Sequence, residues 1–360
     1  MTADGADMES DLRQRVREAH RARAPLRIAG GASKDFYGRA VEGAPLDISA
    51  HRGVLRYDPA ELVLSARAGT RIDEIETLLG EHRQMLGFEP PRYSGGATIG
   101  GALSAGLAGP RRPYAGAVRD FVLGVKILSG KGEVMRFGGE VIKNVAGFDL
   151  ARLMTGALGT LGVLLEVSLR VIPRPQAERT LLLEQPNAAE AVACFNRLAA
   201  RPLPLSAAAW HDGAARIRLS ASEAGVAHAA AAIGGETDNS AGENFWRQLR
   251  DHELPFFTER RKLWRLALPP AAELPACAAR APQWIDWGGA QRWLAGDLDR
   301  DALCAAAAER GGHVTCFRHF DPRGEVFQPL APAARALHLR LKRAFDPAGI
   351  LNPGRLYAGV

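Results

Sequence analysis

The sequence predicts an α+β protein in two parts, and three observations carry that reading. In the first half, Gly-rich turns follow short apolar strands three times, near residues 28–34, 94–109 and 144–163. The run Ile172-Pro173-Arg174-Pro175 then interrupts the pattern and marks a boundary. Beyond it, short helices and strands alternate, which suits an antiparallel sheet covered by helices. A chain of 360 residues is long for one ordinary domain and suits two, each able to bury a core.

Taken in order, residues 11–23 read as a charged helix, and Leu26, Arg27, Ile28 and Ala29 as a strand ending at Gly30-Gly31. Leu62, Val63 and Leu64 form the next strand. Thr70 is the expected cap of a helix whose apolar stripe is Ile72, Ile75, Leu78 and Leu79. A hairpin follows, with strands 121–128 and 133–137 turning at Ser129-Gly130-Lys131-Gly132. A helix from Asp149 to Met154 leads into a buried strand, residues 162–171. In the second part the expected strands are 179–184, 215–220, 283–287 and 313–318, and the expected helices 222–233, 241–253 and 299–309. A further helix opens with Asn187 as cap and Glu190 three residues on. The tail returns to a helix with Leu337, Leu341 and Phe345 on one face, and ends in Leu351-Asn352-Pro353-Gly354-Arg355.

Composition excludes several function classes. Hydrophobic residues make up 47% and charged residues 24%, an ordinary globular balance. The net charge of +6 is spread along the chain, with no Lys/Arg block of the kind that binds nucleic acid. Cys194, Cys277, Cys304 and Cys316 form no C-x-x-C pair, so neither a zinc site nor an iron–sulfur cluster is written here. Such isolated cysteines are expected to be reduced and buried. No signal-peptide pattern opens the chain and no run of about 18 apolar residues occurs, so a cytoplasmic protein without a membrane span is expected.

Three segments carry chemistry. In Ile28-Ala29-Gly30-Gly31-Ala32-Ser33-Lys34 a strand runs into two glycines and a small polar residue, which lets successive backbone N–H groups face one anion. In the stretch from Ser94 to Gly109, six of 16 residues are glycine, and Ile99, Leu103 and Leu107 recur every four residues. That spacing makes the second half a packed helix rather than a linker, with free N–H groups at its start behind Gly95-Gly96. The third segment is Asn144-Val145-Ala146-Gly147-Phe148-Asp149 with Gly156-Ala157-Leu158-Gly159-Thr160-Leu161-Gly162-Val163. Neither G-x-G-x-x-G nor a P-loop occurs.

In this order the segments resemble the vanillyl-alcohol-oxidase-type (PCMH-type) FAD-binding family. The resemblance rests on residues 30–33, Ala97-Thr98-Ile99-Gly100-Gly101, Arg119-Asp120-Phe121-Val122-Leu123-Gly124, residues 144–150, Gly159-Thr160-Leu161-Gly162 and Asn352-Pro353-Gly354-Arg355. Gly109-Pro110-Arg111-Arg112, Gly311-Gly312-His313-Val314-Thr315-Cys316-Phe317-Arg318 and Val326-Phe327-Gln328-Pro329-Leu330 are most similar to the smaller flavin subunits (GlcE type) of bacterial glycolate oxidase. The resemblance implies a two-part FAD domain over residues 1–175, an α+β cap over 176–333 and a segment, 334–360, that returns to the FAD domain. It implies FAD contacts at Gly30, Gly31, Ala32, Ser33, Lys34, Gly95, Gly96, Ala97, Thr98, Gly100, Gly101, Gly109, Asp120, Asn144, Gly147, Gly159, Gly162, Val163 and Asn352. Asn352 matches a family residue placed near the flavin ring.

Departures from the family shape the functional expectation. Relatives with covalent flavin carry histidine where this chain has Ala32, which implies dissociable FAD. The Ser-Glu-Gly of many relatives stands here as Ala157-Leu158-Gly159. The closely spaced histidine pair by which related hydroxy-acid dehydrogenases hold a metal has no counterpart, so no metal is expected. For the oxidation of a 2-hydroxy acid, His313, Arg318 and His319 on the last cap strand are the candidate base and carboxylate partners. Three functions stay open. The first is glycolate oxidation to glyoxylate within a complex that contains a larger flavin subunit and an iron–sulfur subunit. The second is a relay or structural flavin subunit beside a catalytic sister. The third is a stand-alone alcohol or sugar oxidase. Any attachment to the inner membrane would be peripheral, through the complex.

Overall fold

The computed structural model describes residues 7–93, 95–139, 149–238, 242–259 and 261–360. It divides into two compact units. The first comprises residues 1–107, 117–173 and 322–360, and the second residues 108–116 and 174–321.

The first unit is built on a five-stranded antiparallel sheet in the order Val54–Asp58, Val63–Arg67, Val163–Arg170, Val122–Leu128, Val134–Gly138. Its middle strand, Val163–Arg170, buries Val163, Leu165, Val167 and Leu169 and packs against the helix Ile99–Ala105. A separate parallel pair, Leu26–Ala29 with Ala44–Asp47, carries the first Gly-rich turn at its end. The helix Glu9–Ala22 buries Leu12, Val16 and Ala19 and is anchored at its start by the Met8 amide, which donates to His51 Nδ1 at 3.1 Å.

Two expectations are corrected in this unit. Thr70 does not cap the helix Ile72–Glu81. Its hydroxyl donates to the Arg67 carbonyl at 2.7 Å and accepts from the Gly53 amide at 2.9 Å, so it pins the preceding turn, and the cap position is Arg71. Leu337 is 53% exposed, whereas Lys342 is buried in the same helix, Pro332–Phe345. A buried ammonium is invisible to hydrophobic periodicity, so the inward face was assigned one residue short.

The second unit is an eight-stranded antiparallel sheet in the order Glu236–Thr237, Ala177–Glu184, Ala214–Ala221, Leu205–His211, Gln283–Asp286, Gln291–Ala295, Leu263–Ala267, His313–Arg318. Strand residues alternate between two faces. One face sends Leu181, Ile217, Leu219 and Ile285 against the helices Ala188–Ala199 and Glu223–Ile233. Further along, the same face sends Trp264, Leu266, Leu294, Val314 and Cys316 against Arg300–Glu309. The other face is aromatic and basic. Trp284 and Trp293 lie directly opposite each other there and are packed by Phe257, from the short helix Pro255–Thr258. His252 stacks on Phe257 with centroids 4.2 Å apart.

The strands Leu205–His211, Leu263–Ala267 and Gln291–Ala295 were not anticipated. Leu-Ser-Ala-Ala-Ala-Trp-His has no strong strand propensity of its own, and pairing on both sides decides its state. Asn187 does cap its helix, accepting the Glu190 amide at 3.0 Å. Cys194, Cys304 and Cys316 are buried, but Cys277 is exposed, contrary to expectation. Among the described residues no helix is long and apolar enough to cross a membrane.

Burial holds the pKa of His51 below its ordinary value, although Asp7 nearby opposes the shift. The folded state therefore favours neutral His51, whereas the unfolded chain takes up the proton as pH falls through about 6.5. Stability from this group is complete above that pH and is lost below it. His252, buried and close to Arg318 and Arg265, acts in the same sense. The thermal midpoint should fall between about pH 7.5 and 5.5, and less steeply in His51→Gln, because one of the two buried imidazoles is gone. Parallel slopes in the two proteins would exclude the role of His51.

Candidate functional site

The first unit contains a cleft at the end of the strand Leu26–Ala29. Four segments wall it: residues 28–35, the start of the helix Ile99–Ala105, the turn holding Leu158 and Gly159, and the tail with Asn352 and Arg355. Gly162, Leu164 and Ile48 close its base.

Backbone hydrogen bonds show which wall is open to a ligand. After strand Leu26–Ala29 the chain turns with Ala32 in the left-handed region at φ 53°. The Asp35 amide donates to the Ala32 carbonyl at 3.1 Å, and Arg355 Nη2 to the Asp35 carbonyl at 3.1 Å. Among the described residues, the amides of Gly30, Gly31, Ala32 and Ser33 meet no acceptor. Successive amides around a left-handed residue form a concave nest for an anion. Lys34, beside it, reaches the Ser33 hydroxyl at 3.2 Å and lies over the Tyr93 ring.

The helix start does not behave as expected. The Ile99 amide donates to the Thr70 carbonyl and the Gly100 amide to the Ala68 carbonyl, both at 2.9 Å. The Gly101 amide donates to Thr98 Oγ1 at 3.2 Å. Residues 68–70 run alongside the helix and consume the donors that the sequence left apparently free. Its glycines serve close packing instead: a Cβ on Gly100 would stand 2.6 Å from the Ala68 Cβ. At the facing loop, a Cβ on Gly31 would run into the Gly96 carbonyl, so the two Gly pairs let the loops lie backbone to backbone.

Asn352 links three segments. Its Oδ1 accepts the Ile28 amide at 2.8 Å, its Nδ2 donates to the Leu158 carbonyl at 2.7 Å, and its own amide donates to Leu26 at 3.0 Å. Gly159 has φ 74°, and a Cβ there would stand 2.7 Å from Asn352 Nδ2. The side chain expected beside the flavin ring thus acts as a brace between strand, turn and tail, while still lining the cleft. Behind it, Lys342 Nζ donates to the carbonyls of Thr160 at 2.8 Å and Leu351 at 2.7 Å, and pairs with Asp346 at 2.9 Å. Asp346 in turn accepts the amides of Ile350 at 3.1 Å and Leu351 at 2.8 Å. Burial lowers the pKa of Lys342 and the Asp346 carboxylate opposes the shift.

Of the expected cofactor contacts, Gly30, Gly31, Ala32, Ser33, Lys34, Thr98, Gly100, Gly101, Gly159, Gly162 and Asn352 line this cleft. Gly96 backs it, whereas Gly95 has open space around it. Ala97 is buried, with its carbonyl accepting the Ile72 amide. Asp120 lies elsewhere and takes the Ala117 amide at the start of the helix Val118–Phe121. Val163 is the first residue of its strand and does not line the cleft. Gly109 belongs to the second unit, where its carbonyl accepts the Trp287 indole N–H at 3.0 Å. Asn144 and Gly147 lie outside the described residues. Sequence reasoning missed Ser104, Leu158 and Arg355 as lining residues. Arg355 stood in plain view behind Pro353-Gly354, but what it reaches depends on the fold.

In the second unit His313 and Arg318 occupy the two ends of one strand. Five residue steps separate them by about 17 Å along the strand, and a register shift between Cys316 and Arg318 breaks the simple alternation of faces. His319 follows beyond the strand at φ 63°. The three do not converge on one small substrate. Although His313 is solvent-accessible, the atoms packed round it thin its hydration and hold its pKa down, with the cations Arg265 and Arg112 adding to the effect.

Comparison with known proteins places these features in context. Residues 6–138 match the family described as "FAD binding domain", and residues 323–356 match "FAD linked oxidases, C-terminal domain". The chain is 46% identical over 352 residues to the glycolate oxidase subunit GlcE of Escherichia coli (strain K12), covering 98% of each. It is 39% identical over 97 residues to the glycolate oxidase subunit GlcD of Bacillus subtilis (strain 168), covering 26% of this chain and 21% of that one. Among solved structures, p-cresol methylhydroxylase with substrate bound has a similar fold, with a TM-score of 0.75 at 17% identity over 98% of this chain and 87% of that one.

Two substitutions test how the cleft is held. Lys342→Met leaves the Asp346 carboxylate buried without its cation and should cost about 3–5 kcal/mol in denaturant unfolding. A loss below about 1 kcal/mol would show that the pair holds little together. Gly31→Ala should disrupt the contact with Gly96 at about 1–3 kcal/mol, and a stability equal to the native chain would refute the backbone contact.

Proposed function

Because the chain belongs to the family of GlcE-type glycolate oxidase subunits, we propose that it holds FAD non-covalently in the cleft of the first unit and works as a flavin subunit of a multi-subunit glycolate oxidase. The observation that carries this reading is the row of four backbone amides, Gly30 to Ser33, that meet no acceptor among the described residues. They lie inside the stretch matched to FAD-binding domains. Consecutive N–H groups without side chains suit the paired phosphates of a dinucleotide. In this reading the first unit is the FAD domain and the second its cap.

The residues present fit the cofactor. The amides of residues 30–33 would hold its pyrophosphate, with Lys34 and Arg355 supplying positive charge nearby. Ser104, Thr98 and the turn at Leu158 and Gly159 would line the rest of its path. Ala32 offers no nucleophile for a covalent link, which supports a dissociable flavin. When bound, FAD supplies a two-electron acceptor for oxidation of an alcohol carbon. The chain's own task is to fix the cofactor through rigid backbone rather than through mobile side chains, and Asn352 and Lys342 hold that backbone in place.

The complex would turn glycolate into glyoxylate and pass electrons to an iron–sulfur subunit, with a larger flavin subunit beside this one. A second reading is that this chain relays or stores electrons while its sister subunit oxidises the substrate. The separation of His313 from Arg318 along their strand favours it. Purification of the chain alone should give yellow protein that releases FAD into the supernatant on acid precipitation. Colourless protein that takes up no added FAD would sink the proposal, and flavin left in the pellet would refute non-covalent binding. Anaerobic glycolate should bleach the flavin of the lone chain if it oxidises the substrate itself. If bleaching requires the sister subunit, the relay reading holds.

A further inference from the structure

We propose that Arg265, His313 and Thr315 form a binding site for a small carboxylate on the aromatic and basic face of the second unit's sheet. Arg265 is half-buried, yet it makes no hydrogen bond or ion pair among the described residues, and its Nε is shielded from water without an acceptor. Other arginines enclosed in this unit are matched. Arg111 pairs with Glu178, and Arg216 keeps an ion pair with Asp238 at 3.8 Å although its Nε, too, is shielded without a hydrogen-bond acceptor. Arg218 donates to Ser206, and Arg292 to the carbonyls of Gly289 and Ala272. Arg265 has only the Trp287 ring, its guanidinium carbon 5.5 Å from the ring centroid. A shielded guanidinium donor without an acceptor is rare in a folded protein and points to a group that the protein itself does not provide.

The neighbours on the same face supply the rest. Arg265 is directly opposite Thr315 on one flanking strand and Trp293 on the other. His313 lies two residues from Thr315, so it is the diagonal neighbour of Arg265, about 7 Å away. The Trp293 indole N–H is also buried without a partner. Arg112 lies over the same Trp287 ring at 4.4 Å, which adds a second positive charge. Asp286, on this face two strands away, is engaged by the Trp287 amide at 2.7 Å and the Gln291 side chain at 3.3 Å. The guanidinium fork matches a carboxylate in two parallel hydrogen bonds. The neutral imidazole of His313 can accept a hydrogen bond, so a hydroxyl beside the carboxylate finds a partner. That combination describes a 2-hydroxy acid.

The choice of ligand rests on the glycolate reading above; the site itself does not. Calorimetric titration of the purified full-length chain with glycolate should give saturable binding that inorganic phosphate and sodium chloride at matched ionic strength do not reproduce. Arg265→Gln should weaken it by about tenfold or more, and Arg265→Lys, which keeps the charge and loses the fork, by less. Absence of saturable binding, equal binding of phosphate or chloride, or an Arg265→Gln protein that binds as the native one would each overturn the proposal. The flavin absorbance of the same samples separates the two readings. Carboxylate binding without bound FAD refutes the cofactor assignment alone, and bound FAD without carboxylate binding refutes this site alone.

Discussion

Lys342 gives its three N–H donors to three acceptors: the Thr160 carbonyl, the Leu351 carbonyl and the Asp346 carboxylate. Its ammonium and that carboxylate are both out of water, and neither would be tolerated there alone. The pair therefore fixes the geometry of whatever it bonds to. Asp346 folds the chain after the helix Pro332–Phe345 back on itself by accepting two consecutive amides. It also packs against Gly130, where any Cβ would collide with it. The turn sets Leu351 and Asn352 beside the strand Leu26–Ala29, and Asn352 then braces Ile28 and Leu158. Two walls of the cleft thus take their positions from one buried ion pair at the far end of the sequence.

With those walls fixed, the cleft divides its backbone donors unequally. The helix Ile99–Ala105 meets the wall with its first amides already bonded to residues 68, 70 and 98, so it contributes shape and close approach. The loop after Ala29 contributes amides. It can do so because Gly31 and Gly96 allow contact between backbones, and because Arg355 holds the carbonyls of Lys34 and Asp35 from behind. Carbonyls turned toward a guanidinium leave the opposite side of the loop rich in N–H, the polarity that an anionic cofactor needs.

The second unit shows how one sheet can serve two ends. Its helix-covered face is aliphatic and Ala-rich, a packing surface that accounts for stability. Its other face concentrates Trp284, Trp293, Phe317, Arg218 and Arg265, with aromatic edges and faces in contact and few aliphatic side chains. Cations over rings retain part of the stabilisation that water gave them, which is how arginines are accommodated so near a core. Arg265 differs from its neighbours because the ring is all that it has.

What was legible in the sequence was whatever depends on local chemistry. Glycine pairs after strands marked the turns, Asn187 announced its cap, and the apolar run over residues 162–171 gave the central strand. The order of the Gly-rich segments identified the fold, and at Gly31, Gly100 and Gly159 a close approach leaves no room for a Cβ. The sequence could not say which amides were free. At Gly100 the acceptor is the carbonyl of Ala68, some thirty residues away in the chain. Nor could it show that Lys342 points inward, that Asn352 braces rather than projects, or that His313 and Arg318 sit at opposite ends of a strand. Each of these depends on long-range contacts, which local periodicity and propensity do not encode. The sequence by itself determined the turns, the fold class and the kind of ligand; the tertiary structure alone decided which polar groups remain for that ligand after the protein has satisfied its own.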